Sequence, residues 1–150
     1  MTNGKITIRD AKPADLDIVA GIFTRARRTL SFVPELHSEA EDRFFVRDVL
    51  FRTCRIRLAF LDRRACGFVA IGDNWIRQMH VDPVHFSKGT GSALIRDAQA
   101  QADQLQLWCF QENRRARQLY ERHGFQPAEF TDGARNEEKT PDVRYVWQKG

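Results

Sequence analysis

Between Leu105 and Phe125 the apolar period changes twice, and this limits the folds open to the chain. Leu105, Leu107 and Cys109 alternate with Gln106, Trp108 and Phe110, the period of a strand. Ala116, Leu119, Tyr120 and His123 then recur at helical spacing, and Gly124 stops that helix before a new strand begins at Phe125. A strand, a helix and a strand in close succession demand a crossover.

Elsewhere the pattern calls for hairpins. Ile6 and Ile8 mark a first strand over 5–10. Pro13 opens a helix carrying Leu16, Val19, Ala20, Phe23 and Ala26, and Pro34 breaks the chain after it. Ser38 caps a second helix, with Glu41 completing a capping box and Phe45, Val46, Val49 and Leu50 forming the apolar face. Ile56, Leu58 and Phe60 alternate as a strand, Asp62-Arg63-Arg64 turns, and residues 66–71 form a strand apolar on both faces. Residues 74–82 are a further strand, and a helix with Leu94, Ile95, Ala98 and Ala102 comes after it. Strands near 125–130 and 143–148 close the chain around a polar segment, 131–142, expected to be a long hairpin loop with room to move. The order β-αα-βββ-α-β-α-ββ mixes hairpins with crossovers. It predicts an α/β chain with a mixed sheet and helices on both faces, in a single domain over 1–150.

At 150 residues the chain can bury roughly 70% of its unfolded surface and needs no staple. No apolar run approaches the roughly 20 residues of a membrane span, and Met1-Thr2-Asn3-Gly4-Lys5 lacks a signal region, so a cytoplasmic location is expected, with no membrane partner. Cys54, Cys66 and Cys109 are odd in number and, like the four histidines, show no metal-ligand spacing, so no metal is expected. A net charge of +4 fits either a solvated arginine-rich surface or attraction for a polyanion. The chain carries no nucleic-acid-binding motif, so nucleic acid is not expected as a partner.

Lys88-Gly89-Thr90-Gly91-Ser92 lies between a strand and a helix. Glycines admit close approach of an anion to the backbone, and the first helical N–H groups are free donors aided by the helix dipole. Lys88 could add a cation. A pyrophosphate suits such a loop, and a tight turn packing helix on strand is the plain alternative. The Walker spacing is absent, and a Rossmann site fits poorly because the third glycine is missing.

Two segments in order then resemble the GNAT superfamily of acyl-CoA-dependent N-acetyltransferases. Val81-Asp82-Pro83, continued after a gap by Gly89-Thr90-Gly91-Ser92-Ala93-Leu94-Ile95, resembles the family's CoA loop, Gln/Arg-x-x-Gly-x-Gly/Ala. Asn113 to Phe125 resembles its second motif, Asn-x-x-Ala-x-x-Leu-Tyr-x-x-x-Gly-Phe. The resemblance implies a GNAT-like fold: a twisted, mostly antiparallel sheet of about seven strands, splayed between strands 4 and 5. The loop departs from the pattern at Phe86, where Gln or Arg is usual, and at Ser87, where glycine is usual.

The same resemblance implies a site and a role for each of its residues. Acetyl-CoA would lie between residues 74–82 and 105–110, its pantetheine arm paired to the backbone of Met79, His80 and Val81. A backbone N–H near His80–Val81 would polarise the thioester carbonyl and stabilise the oxyanion. Phe86, Ser87, Lys88, Gly89, Thr90, Gly91 and Ser92 would hold phosphates, while Asn113, Ala116 and Tyr120 would line the arm. Tyr120 would protonate the departing thiolate, although its place in a helical stripe also suits a core aromatic. Asn113 suits a helix cap as well. Arg114, Arg115 and Arg117 would meet phosphates or face solvent. Cys109 suits a buried thiol better than an acyl carrier.

For the base, His80 stands first and Asp73 second, with a water chain as an alternative; Glu35 and His37 would line the acceptor mouth, shaped by the first two helices and 131–142. The reaction implied is acetyl transfer from acetyl-CoA to the primary amine of a small molecule or peptide, in a ternary complex. A non-catalytic CoA-sensing module on the same fold is the alternative, and a homodimer is possible.

Overall fold

The computed structural model describes residues 4–150. Seven strands form one sheet: β1 Ile6–Asp10, β2 Arg55–Leu61, β3 Arg64–Gly72, β4 Trp75–Val81, β5 Gln104–Phe110, β6 Gln126–Phe130 and β7 Asp142–Gln148. Their order across the sheet is β1-β2-β3-β4-β5-β7-β6. Every neighbouring pair is antiparallel except β4 and β5, which run parallel. The mixed, mostly antiparallel sheet expected from the sequence is therefore present. No helix among the described residues is long and apolar enough to cross a membrane.

Helices cover both faces. On one face lie α1 (Leu16–Arg27) and α2 (Glu39–Phe45), the latter continuing through a π-turn at Val46–Leu50 into α3 (Phe51–Thr53). Val19, Ile22 and Phe23 of α1 pack with Val46 and Leu50 onto Ile56, Leu58 and Phe68. On the other face, α4 (Thr90–Ala100) and α5 (Arg114–Arg122) place Leu94, Ile95, Ala98 and Tyr120 against Val69, Leu105, Leu107, Val143 and Tyr145. The capping box is real, since Ser38 accepts from the Glu41 N–H (3.2 Å) while Glu41 accepts from the Ser38 N–H (2.9 Å). One apolar assignment fails: Val49 is 39% exposed. The π-turn inserts an extra residue per turn there, leaving Val46 and Leu50 inward and rotating Val49 out. Ala102 lies beyond the end of α4, yet it still packs against the core.

Two polar ties orient the layers. Arg57 of β2 reaches across to Asp97 of α4 through two contacts of 2.9 and 3.0 Å. Arg25 of α1 donates to Asp82 at the end of β4 (2.7 Å), and that buried carboxylate also accepts from the Val84 N–H.

The segment 131–142 is tied down rather than loose. Asn136 accepts from the Thr140 N–H (3.1 Å) and donates to the Thr140 carbonyl (2.7 Å) and to Asp142 (3.1 Å). The Thr131 hydroxyl donates to the same Asp142 carboxylate. Gly133 lies at φ +84 with the Thr140 backbone packed where a Cβ would stand, 2.3 Å from the nearest atom. Polarity alone suggests motion, but these side chains bond to their own loop instead of to water. Gly133→Ala should therefore lower stability by about 2 kcal/mol or more, combining left-handed strain with a backbone clash. Thermal unfolding checks this, and an unchanged midpoint would show a loop free to rearrange.

Candidate active site

The site begins with a defect in β4. Ala70 of β3 pairs with Gln78, but Ile71 pairs with Ile76, so Arg77 is an extra residue, a β-bulge. Beyond the bulge β4 parts from β5; the pair Trp75–Gln106 and the bond from the Gln106 N–H to the Asn74 carbonyl (2.9 Å) join them only at the start. At the other end the Asp82 N–H donates to the Cys66 carbonyl (2.8 Å). Antiparallel alternation then directs the N–H and C=O groups of His80 toward β3, and those of Met79 and Val81 toward the gap. Buried backbone groups need partners. Of the three positions named from the sequence, Met79 and Val81 carry the free backbone edge, and His80 does not.

The gap widens into a cleft of about 1270 Å3. Its lining includes Met79, His80, Val81, Phe86, Ser87 and Gly89, and also Thr90, Gly91, Ser92, Asn113, Ala116 and Tyr120. Of the residues expected to hold the cofactor, Lys88 alone stays outside: it is exposed and does not line the cleft. Gly89, at φ +86, caps α4 in the left-handed conformation, and Ser87 adopts φ +65. A non-glycine residue in that region costs about 1–2 kcal/mol, so the loop keeps a glycine-like shape without the glycine. The Thr90 side chain turns inward and donates to Cys66 Sγ (3.4 Å), leaving only its backbone for a ligand. Gly91 lets α4 meet α5, because a Cβ there would stand 2.7 Å from Leu119. Asn113 caps α5, its side chain accepting from the Ala116 N–H at 3.3 Å.

Burial sorts the titratable groups. The His80 ring lies 5.1 Å from Phe23 and 5.7 Å from Phe68, with Nε2 bonded to Gln78 at 2.8 Å. Desolvation, helped by the nearby Arg27 charge, lowers its pKa to about 3. So weak a base is a poor acceptor for an ammonium proton, and the geometry argues against the base role expected of it. Asp73 is no better: it sits in the β3–β4 turn with a side chain 95% exposed, outside the cleft lining. Burial raises the Cys109 thiol to about 12, which makes it a packed side chain and not an acyl carrier.

Tyr120 is buried among Phe125 and Tyr145, and desolvation raises its pKa, so it stays protonated at neutral pH. Among the described residues no sealed side-chain polar atom lacks a partner, and Tyr120 has none; its hydroxyl therefore reaches the cleft. The two descriptions of Tyr120, core aromatic and cleft phenol, are one geometry.

At the other end, the chain after α1 supplies Thr29, Leu30 and Phe32, the β6–β7 loop supplies Thr131 and Glu138, and the start of β7 supplies Asp142. Arg27 pairs with Glu138 at 2.9 Å. Glu35 and His37 do not line this mouth. His37 instead bridges Glu137 (2.5 Å) and Glu41 (3.5 Å), and Glu137 raises its pKa. The second helix contributes nothing to the lining. Glu138 and Asp142 carry no signal in the sequence because only the folded loop brings them to the cleft.

The site is thus a parallel break in an otherwise antiparallel sheet, with a glycine loop and a phenol beside it. The family model described as Acetyltransferase (GNAT) domain matches residues 41–127, and the chain belongs to that family. No curated protein matches it by sequence. Among solved structures, the apo form of YjaB from Escherichia coli is 20% identical with a TM-score of 0.78, covering 95% of this chain and 97% of that one. A spermidine N-acetyltransferase chimera built from SpeG of Vibrio cholerae and hSSAT is 19% identical, with a TM-score of 0.72 and 95% of each chain covered. RimL, a ribosomal L7/L12 alpha-N-protein acetyltransferase in complex with coenzyme A, is 12% identical, with a TM-score of 0.75, covering 95% of this chain and 93% of that one. These likenesses are of fold.

The His80 environment predicts a pH effect. The unfolded imidazole takes a proton near 6.5 while the folded one resists until about 3, so the unfolded state binds more protons in between. Stability should fall as pH drops from about 6.5 toward 3, and His80→Gln should flatten that slope. Denaturant titrations at a series of pH values check this; equal slopes would show a ring open to water.

Proposed function

We propose that this chain transfers an acetyl group from acetyl-CoA to a primary amine. The observation that carries the proposal is the unpaired edge of β4, Met79 and Val81, opening beside a glycine-capped helix. An extended chain bearing amides, such as a pantetheine arm, matches those orphaned groups. The phosphates fall to the Ser87–Ser92 backbone and the free N–H groups of α4. Bound there, acetyl-CoA supplies an activated acetyl group as its thioester.

The protein's own part is small and specific. The Met79 or Val81 N–H, facing the gap, polarises a carbonyl placed against it. Tyr120 holds a proton at its hydroxyl for the sulfur that departs. Its raised pKa keeps that proton in place until charge develops beside it. The mouth attracts an ammonium: the Asp142 carboxylate is held by Thr131 and Asn136 and has no cationic partner among the described residues. With His80 and Asp73 unsuited, the acceptor's proton leaves through water at this end. A small-molecule amine, such as that named for the spermidine enzyme, and a peptide amine, such as that named for RimL, both fit this wall.

Calorimetry with acetyl-CoA and then thiol release over an amine panel test the reading. Binding with turnover on at least one amine is expected; no binding at millimolar acetyl-CoA ends the proposal. Tight CoA binding without turnover on any amine would instead support a non-catalytic CoA-sensing module. Tyr120→Phe should lower kcat about a hundredfold while cofactor affinity stays within about twofold, because the ring packing is kept. Unchanged turnover would remove Tyr120 from the proton transfer.

A further inference from the structure

Arg115 is the one arginine of α5 that reaches the β4–α4 loop through a side-chain hydrogen bond, donating to the Ser87 hydroxyl at 2.7 Å. Its guanidinium lies 4.5 Å above the Phe86 ring. Among the described residues no carboxylate pairs with it, whereas Arg117 bonds to the Tyr145 hydroxyl (3.0 Å) and the Gln111 carbonyl (3.2 Å). Stacking on an aromatic face fixes the plane of a guanidinium without consuming its N–H donors. One hydrogen bond to Ser87 leaves most of the donor fork unused. Phe86, Ser87 and Arg115 all line the cleft, next to the left-handed Gly89 that begins α4.

Three features of this arrangement point the same way. The cation has no protein counter-charge. Its orientation is held by an aromatic platform and a hydroxyl. It stands over the loop that ends in the left-handed Gly89 and opens α4, while Lys88, the cation nearest in sequence, is exposed and outside the lining. We infer that Arg115, stacked on Phe86 and braced by Ser87, is the side-chain clamp for the diphosphate of the acyl donor. It acts from the helix opposite the loop. Phe86 then serves as a platform for the clamp, and Ser87 holds it at the site. The inference rests on the proposed binding of CoA and adds to it the charged group that fixes the donor's diphosphate.

Calorimetry with three probes tests it: CoA, dephospho-CoA, which retains the diphosphate but lacks the 3′-phosphate, and pantetheine, which has neither. Arg115→Ala should weaken CoA and dephospho-CoA alike by about 10- to 100-fold, the range of a charge-assisted hydrogen bond, and leave pantetheine unchanged. Arg115→Lys should fall between, since it keeps the charge and loses the planar stack. Phe86→Ala should cost about 2- to 5-fold, the worth of an exposed cation–π contact. Melting temperatures without ligand should match the wild type, showing that each variant is folded.

CoA binding within twofold of wild type in Arg115→Ala overturns the inference. So does an equal loss for pantetheine, which marks a structural role, or a loss confined to CoA, which moves Arg115 to the 3′-phosphate. A wild-type protein that fails to bind CoA at all is a separate result and removes the transfer reading itself.

Discussion

The extra residue at Arg77 governs the rest of the site. Without it, β4 would stay in step with β3 and could continue its pairing to β5, closing the sheet. With it, the strand bends and the partner is lost, and Met79 and Val81 are left with groups that the fold does not satisfy. Unsatisfied buried amides carry a free-energy cost, and a ligand that pairs with them recovers it. The sheet is thus stable as two packed halves, β1–β4 and β5–β7, yet incomplete between them. The glycine loop and Tyr120 have meaning only because they stand at the mouth of that opening.

Desolvation sets the titration of the side chains nearest the gap. His80, Cys109 and Tyr120 line the gap, and burial acts on each with a different result. It lowers the basicity of His80, raises the Cys109 thiol, and holds the proton on Tyr120. The same apolar packing that steadies the core therefore also sets the protonation of the groups beside the gap. The far end of the cleft differs in kind: Asp142 is buried and held by hydrogen bonds from Thr131 and Asn136, and Arg27 pairs with Glu138.

Signals in the sequence are legible where local physics sets the outcome. The Ser38 capping box, the Asn113 cap and the alternation of β5 depend on neighbours within a turn or a strand, and each appears as the pattern suggests. The failures are nonlocal. Val49 faces outward because a π-turn shifts the helix phase. His80 loses its basicity to Phe23 and Phe68, residues of other elements. The loop 131–142 reads as loose because its polar side chains give no sign, in sequence, of bonding to one another. Phe86 reads as a plain departure from a pattern, and only the fold stacks Arg115 on it.

The contacts at the far end of the cleft have a mechanical consequence. Arg27–Glu138 and His37–Glu137 join the chain around α1 to the β6–β7 loop, so they span the two half-sheets on the side opposite the Trp75–Gln106 pair. The wedge is fastened at its vertex by backbone bonds and laced across its rim by side-chain ion pairs. A wedge held only at the vertex would behave as a hinge. One laced at both ends behaves as a slot of set width, and its rim ties, unlike its vertex, loosen with salt and acid.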